Sequence, residues 1–248
     1  MIDQPLFWIT AIVAVVITGI SKGGFGGLAL FAVPLMALTI SPLQAAGIML
    51  PILIVMDWIS VWSYRKHWDK ALVFKMVPAA VIGIGIGWAL AGYVTDNLVR
   101  VIVGMIAVAF PLYHWFGPKS GLAAIKDSRL AGYIAGSLAG FTSFIAHAGG
   151  PPFQAYAIPQ GLPHRIYAGS AVMFFFVVNA VKLVPYAALG QFDKTNLTTS
   201  LILLPLAPIG VLIGVYLVKR IDGTLFYRIM YGLIFITGLK LLFDVFIG

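Results

Sequence analysis

Apolar runs separated by short polar or glycine-rich breaks fill this chain from end to end. Ten can be marked, at about 5–21, 25–40, 43–64, 72–93, 97–116, 129–146, 151–160, 165–189, 196–218 and 225–246. A helix that crosses a bilayer takes about 20 residues, and eight of the runs are long enough. The runs at 25–40 and 151–160 are not clear crossings. Each follows a glycine-rich break, and the second carries Pro151, Pro152 and Pro159. The pattern predicts helices that cross, with two segments that either span or re-enter.

Composition turns the pattern into a class. Of the 248 residues, 61% are hydrophobic and 10% charged, against about 25% charged in a soluble domain. An integral membrane protein follows. At this length the passes leave almost nothing for an extramembrane domain, which excludes a tethered soluble enzyme and a carrier with its own ATPase. No cysteine is present, so disulfides, thiol chemistry and Cys-zinc sites are excluded. The first run has no basic residue before it, unlike a cleaved signal peptide, and is expected to stay as a membrane helix. No cofactor is expected.

The two halves resemble each other. Gly26-Gly27 answers Gly149-Gly150, Ala46-Gly47 answers Ala168-Gly169, and Asp57 answers Asn179. Pro78 and Ile82-Gly83 answer Pro205 and Ile209-Gly210, and Arg100 and Gly104 answer Arg228 and Gly232. Their order and nearly constant offset suggest a duplication, with one repeat at 1–116, a linker at 117–128 and a second repeat at 129–248. Five segments per repeat is an odd number, so the second repeat would enter the membrane upside down.

Charge tests that arrangement. The chain holds sixteen Lys and Arg against eight Asp and no Glu, a formal net of +8. Threaded through the segments, twelve basic residues fall on one side with three acids, and four fall on the N-terminal side with four acids. Asp57 stays inside the membrane. The richer side is cytoplasmic by the positive-inside rule, so both termini are expected outside, in the inner membrane of a prokaryote. An even number of crossings per repeat would scatter the charge. The excess is therefore a topology signal, and nucleic acid is not an expected partner. Inverted repeats of this kind are typical of secondary transporters.

Two glycine breaks are candidate sites. The first is Ser21-Lys22-Gly23-Gly24-Phe25-Gly26-Gly27. Glycine lets the backbone bend and approach a ligand, and a broken helix frees N–H groups that favour an anion. Its alternative is a tight turn between spanning helices. The second runs from Thr142 and Ser143 through His147 to Gly149-Gly150-Pro151-Pro152, with Gln154 behind. Hydroxyls, an imidazole and backbone N–H groups there suit an oxyanion; a structural kink is the alternative. Matching interrupted segments in two halves point to a transporter site.

Asp57 lies mid-run, where an ionisable group faces a cavity or a partner, and Lys22 is the partner candidate. Asp57 and His147 are the candidate proton-coupling groups. Asn179, the repeat mate of Asp57, shares a helix face with Lys182, although it could equally be helix–helix glue. Lys182 and Lys240 are expected to snorkel to the outer interface, with Asp244 four residues from Lys240. Tyr64, His67 and Trp68 read as an interfacial belt. Gly83-x-x-x-Gly87 and Gly210-x-x-x-Gly214 read as close helix packing; a dinucleotide fingerprint is rejected because no strand precedes the glycines. Asn196-Leu197-Thr198 matches a glycosylation sequon.

The stretch Gly19 to Gly27, with Val33-Pro34-Leu35 after it, resembles the TauE/SafE family of sulfite exporters. So do Gly140-Phe141-Thr142-Ser143 through Gly149-Gly150-Pro151, and Arg165 to Gly169. The resemblance covers essentially the whole chain. It departs from the family where a run of the type Ser-x-x-Gly-x-Gly-Gly is expected and Phe144-Ile145-Ala146-His147-Ala148-Gly149-Gly150 stands. The resemblance implies export of a small sulfur-containing anion such as sulfite, sulfoacetate or a related organosulfonate.

The combined expectation is an all-α membrane protein of two inverted repeats, with broken or re-entrant helices at the glycine motifs. It acts as a secondary transporter rather than an enzyme. Candidate substrate contacts are Lys22, Gly23, Gly24, Gly26, Gly27, Thr142, Ser143, His147, Gly149, Gly150, Gln154 and Asn179. Expected partners are the anion, the bilayer, protons as candidate coupling ion, and further copies of the chain as a candidate homo-oligomer. The rival readings are an importer or channel for another oxyanion and, from a different class, an intramembrane enzyme. Against the enzyme stand the lack of Cys and Glu and of any His pair at metal spacing.

Overall fold

A computed structural model describes residues 5–25, 29, 32–36, 39–93, 95–116, 126 and 128–246. These form helices α1 (Pro5–Ile20), α2 (Ala32–Met36), α3 (Pro42–Tyr64), α4 (Lys70–Ala89) and α5 (Asp96–Phe116). After residues 117–128 come α6 (Arg129–Ala146), α7 (Gly150–Ala157), α8 (His164–Ala188), α9 (Lys194–Leu203), α10 (Leu206–Arg220) and α11 (Gly223–Phe246). The described residues contain no strand. The chain is an all-α, multi-pass membrane protein.

Six helices are long and apolar enough to cross a membrane, and the bent pair α9–α10 makes a seventh. The 49° bend falls at Pro205, which has no N–H to give the helix ladder. The eighth expected crossing, α6, is 18 residues long but falls outside that set; its glycines and hydroxyls dilute its apolar content. Of the two doubtful segments, α7, eight residues long at 1.5 Å per residue, is too short to span. In the segment at 25–40 the described residues are α2 and a few others, and the rest lies outside them.

Acidic and hydroxyl residues start several helices. Ser41, Asp69, Ser128 and Asp193 each accept a hydrogen bond from the backbone N–H three residues on. Asp222 accepts from the N–H groups of Thr224 and Leu225. Such caps satisfy donors that a helix start would otherwise leave unpaired.

The helix contacts come in matched pairs. α1 packs on α10 and α6 on α4; α3 lies against α8 and α5 against α11; α3 meets α9 as α4 meets α8. Glycine makes two of these contacts close. A Cβ on Gly19 would sit 2.7 Å from the Gly210 Cα, and one on Gly23 would sit 2.5 Å from the Gly214 Cα. On the other pair, a Cβ on Gly83 would strike the Ser137 carbonyl and one on Gly140 the Ala80 carbonyl. The two glycine pairs expected to pack helices closely do so.

Three expectations are overturned. Lys182 does not snorkel: it is fully buried. Tyr64 does not sit in an interfacial belt: it is buried and donates to the Gly23 carbonyl at 2.7 Å. Asn196 is not a free sequon, since it is 3% exposed. It donates to the Gln191 carbonyl and accepts from Gln44 Nε2, so no sugar could be attached. Lys240 does sit at the surface, paired with Asp244.

Candidate functional site

Both breaks lie inside the helix bundle. After Ile20 the chain opens into a wide turn over Ser21–Phe25, where Gly24 has φ 127°. That backbone region is open to glycine and nearly closed to other residues. The Tyr64 hydroxyl holds the turn at Gly23, and α10 packs against its other side. Lys22 is thereby turned inward.

Lys22 Nζ lies 2.6 Å from Asp57 Oδ1 of α3, and Asn179 Nδ2 of α8 donates to Asp57 Oδ2 at 2.6 Å. Asp57 is fully buried and the Lys22 side chain is 11% exposed. A buried carboxylate is tolerated when charge and hydrogen bonds both meet it, and here each oxygen has a donor. Asn179, expected from the sequence as the repeat mate of Asp57, is thus bonded to it. The Lys22–Asp57 pairing expected from the sequence is present.

The second break closes differently. Helix α6 ends at His147, which has φ 51° in the left-handed region. His147 N–H reaches the Ser143 carbonyl at 3.1 Å and Ala148 N–H reaches the Thr142 carbonyl at 3.1 Å. The His147 bond is the αL type of helix closure, which usually takes glycine at the left-handed residue. His147 therefore stands at the place in the family run where glycine is expected, in the conformation that glycine would adopt. Its ring is held at both nitrogens: Nδ1 is 2.8 Å from Lys182 Nζ, and Nε2 is 3.2 Å from the Ala46 carbonyl.

Lys182 also donates to the Ser143 carbonyl at 2.9 Å and to Ser143 Oγ at 3.2 Å. One lysine thus ties each break to a core helix: Lys22 reaches from the first break to α3, and Lys182 reaches from α8 to the second. Sequence reasoning missed the role of Lys182. The available signal was its spacing from Asn179, which puts both on one helix face.

Between the breaks lies a cavity of about 70 Å³. Since about 10–15 Å³ of such volume admits one water, it has room for a small ion. Its polar lining includes Ser21, Lys22, Ser143, His147, Gln154 and Asn179, and its apolar wall includes Phe153, Val172 and Phe175. Lys22 Nζ stands 5.4 Å from the centre of the Phe175 ring.

The proposed contacts therefore divide. Lys22, Gly24, Ser143, His147, Gly150, Gln154 and Asn179 line the cavity; Asp57 stands behind Lys22 and Asn179. The cavity does not reach Gly23, Thr142 or Gly149. Gly23 packs on α10, and Thr142 Oγ1 donates to the Leu138 and Ala148 carbonyls. Gly149 lies against the Ala139 carbonyl and the Phe175 ring. Gly26 and Gly27 lie outside the described residues. Pro151 and Pro152 lack N–H groups, so Gly149 and Gly150 supply the first donors of α7. Among the described residues no cluster of His, Cys, Asp or Glu could hold a metal ion.

A helical bundle with the lengths and apolarity to cross a membrane thus encloses a small cavity, mostly apolar with a few polar groups, between two broken helices, and its family is one of membrane transporters. The chain is a member of the TauE/SafE sulfite exporter family, whose model matches residues 11–241. No curated protein and no solved structure matches it.

Proposed function

We propose that this protein is a secondary transporter that exports a small sulfur-containing anion, such as sulfite, sulfoacetate or a related organosulfonate. It works in the cytoplasmic membrane of a prokaryote with both termini outside. The observation that carries the reading is the cavity between the breaks. Its wall is mostly apolar, with Lys22 and the Ser143 hydroxyl as donors from the two breaks and His147, Gly150, Gln154 and Asn179 beside them. An oxyanion needs donors on several sides and little water, and this lining supplies both. Family membership supports the sulfur.

Movement of the repeat at 1–116 against that at 129–248, joined by 117–128, would expose the cavity to each side in turn. The matched helix contacts support this, because exchanging α1 with α6, α3 with α8, α4 with α9–α10 and α5 with α11 carries the most extensive helix contacts onto one another. The Asp57–Asn179 bond would then lie on the axis between the repeats.

The test is a thermal-shift screen of purified protein with sulfite, thiosulfate, methanesulfonate and acetate. The expected result is stabilisation by the sulfur anions, weakened by Lys22→Met in a protein that still folds. No stabilisation by any sulfur anion overturns the proposal.

A further inference from the structure

Among the described residues, Lys182 is the fully buried lysine, and no acid is paired with it. The ion pairs among the described residues are Lys22–Asp57 and Lys240–Asp244, and Asp57 already has both oxygens engaged. The surroundings of Lys182 nevertheless fit an ammonium. The Ala46 carbonyl beside His147 Nε2 calls for a hydrogen on that nitrogen, which leaves Nδ1 as an acceptor. Nδ1, the Ser143 carbonyl and Ser143 Oγ then make three acceptors around Nζ, one for each ammonium hydrogen.

A buried cation with its hydrogen bonds met but no counter-charge is costly. Ser143 and His147, which hold it, both line the cavity. An anion in that cavity is one side chain away from Lys182 and supplies the missing charge. The Lys22–Asp57 pair is neutral as it stands and cannot do this for Lys182. We infer that Lys182 holds its proton together with the substrate anion, so that one proton binds with each anion.

The other groups around Lys182 leave it that role. His147 comes from α6, Lys22 from the turn after α1 and Asp57 from α3; Tyr186, on α8 itself, donates to the Phe144 carbonyl. Lys75 of α4 turns to Tyr156 of α7 at 3.0 Å. α10 and α11 meet α8 near its start, where Arg165 donates to the Lys219 carbonyl and Tyr227 to the Leu162 carbonyl. By reciprocity, a proton that favours the anion is favoured by it equally. A monoanion and its proton then cross together without net charge. Flux follows the product of their gradients, and the membrane potential does not drive it.

This inference rests on the oxyanion reading, so its test separates the two. The affinity of purified full-length protein for thiosulfate and methanesulfonate, which do not themselves titrate near neutrality, is measured across roughly pH 5 to 10. Linkage predicts affinity that is level at low pH and then falls up to about tenfold per pH unit. Lys182→Arg, whose charge is permanent, should bind with level affinity throughout. Lys182→Met should lose at least about tenfold in affinity at the low-pH end, the size of one lost charge contact. Level affinity in the wild type, or an unchanged slope in Lys182→Arg, overturns the inference alone. Should Lys182→Arg not fold, the wild-type slope still decides. Failure of both anions to bind the wild type overturns it together with the oxyanion reading.

Discussion

His147 carries two opposing effects that substitution can separate. Its left-handed backbone, φ 51°, costs a residue with a Cβ about 1–2 kcal/mol. Its ring bonds to Lys182 and Ala46 each return about 0.5–1.5 kcal/mol. His147→Ala keeps the strain and loses both bonds. His147→Gly loses the same bonds and sheds the strain, although its looser unfolded chain takes back about 0.4–1 kcal/mol. Glycine should therefore be more stable than alanine by about 1 kcal/mol and lie closer to the wild type. Equilibrium unfolding of the three proteins in mixed detergent micelles measures this directly. Alanine as stable as glycine, or more so, would show that the left-handed helix end is not strained and that the reasoning about this break is wrong.

Two further perturbations probe the packing and the ion pair. Asp57→Asn leaves the Lys22 charge enclosed without its acid and should cost about 3–5 kcal/mol. Adding Lys22→Met should recover part of that loss, which a double-mutant unfolding cycle reads; strict additivity would deny the pairing. Gly140→Ala drives a methyl into the Ala80 carbonyl and should cost about 1–3 kcal/mol. Gly85→Ala, with nothing within 4 Å of the added carbon, should be neutral or slightly stabilising in the same assay.

Much of the architecture was legible in the chain. Apolar runs became helices, and the Gly23-Gly24 and Gly149-Gly150 breaks opened where they were expected. Lys22 met Asp57, and Gly83 and Gly210 packed helices closely. What was hidden is the rotation of each helix. Asp57 is fully buried and its neighbour Trp58 is 60% exposed, yet both stand in an unbroken apolar run. Lipid is as apolar as a packed neighbour, so the pattern that marks the core side of a soluble helix is absent. Lys182 therefore read as a snorkelling lysine and Tyr64 as a belt residue. Asn196 was misread because a three-residue sequon says nothing about Gln44, which lies in a distant helix. The left-handed turn at His147 was hidden for another reason: histidine stands where glycine would have announced it.

The central claim is that the cavity between the two breaks carries a small sulfur oxyanion across the membrane. Counterflow of radiolabelled sulfite into proteoliposomes tests it most directly, comparing the wild type with Ala171→Phe, which fills the cavity from α8. The expected result is saturable exchange in the wild type, and exchange at the protein-free rate in the filled variant with its fold intact. Wild-type exchange no faster than empty liposomes, or undiminished exchange in Ala171→Phe, would contradict the account.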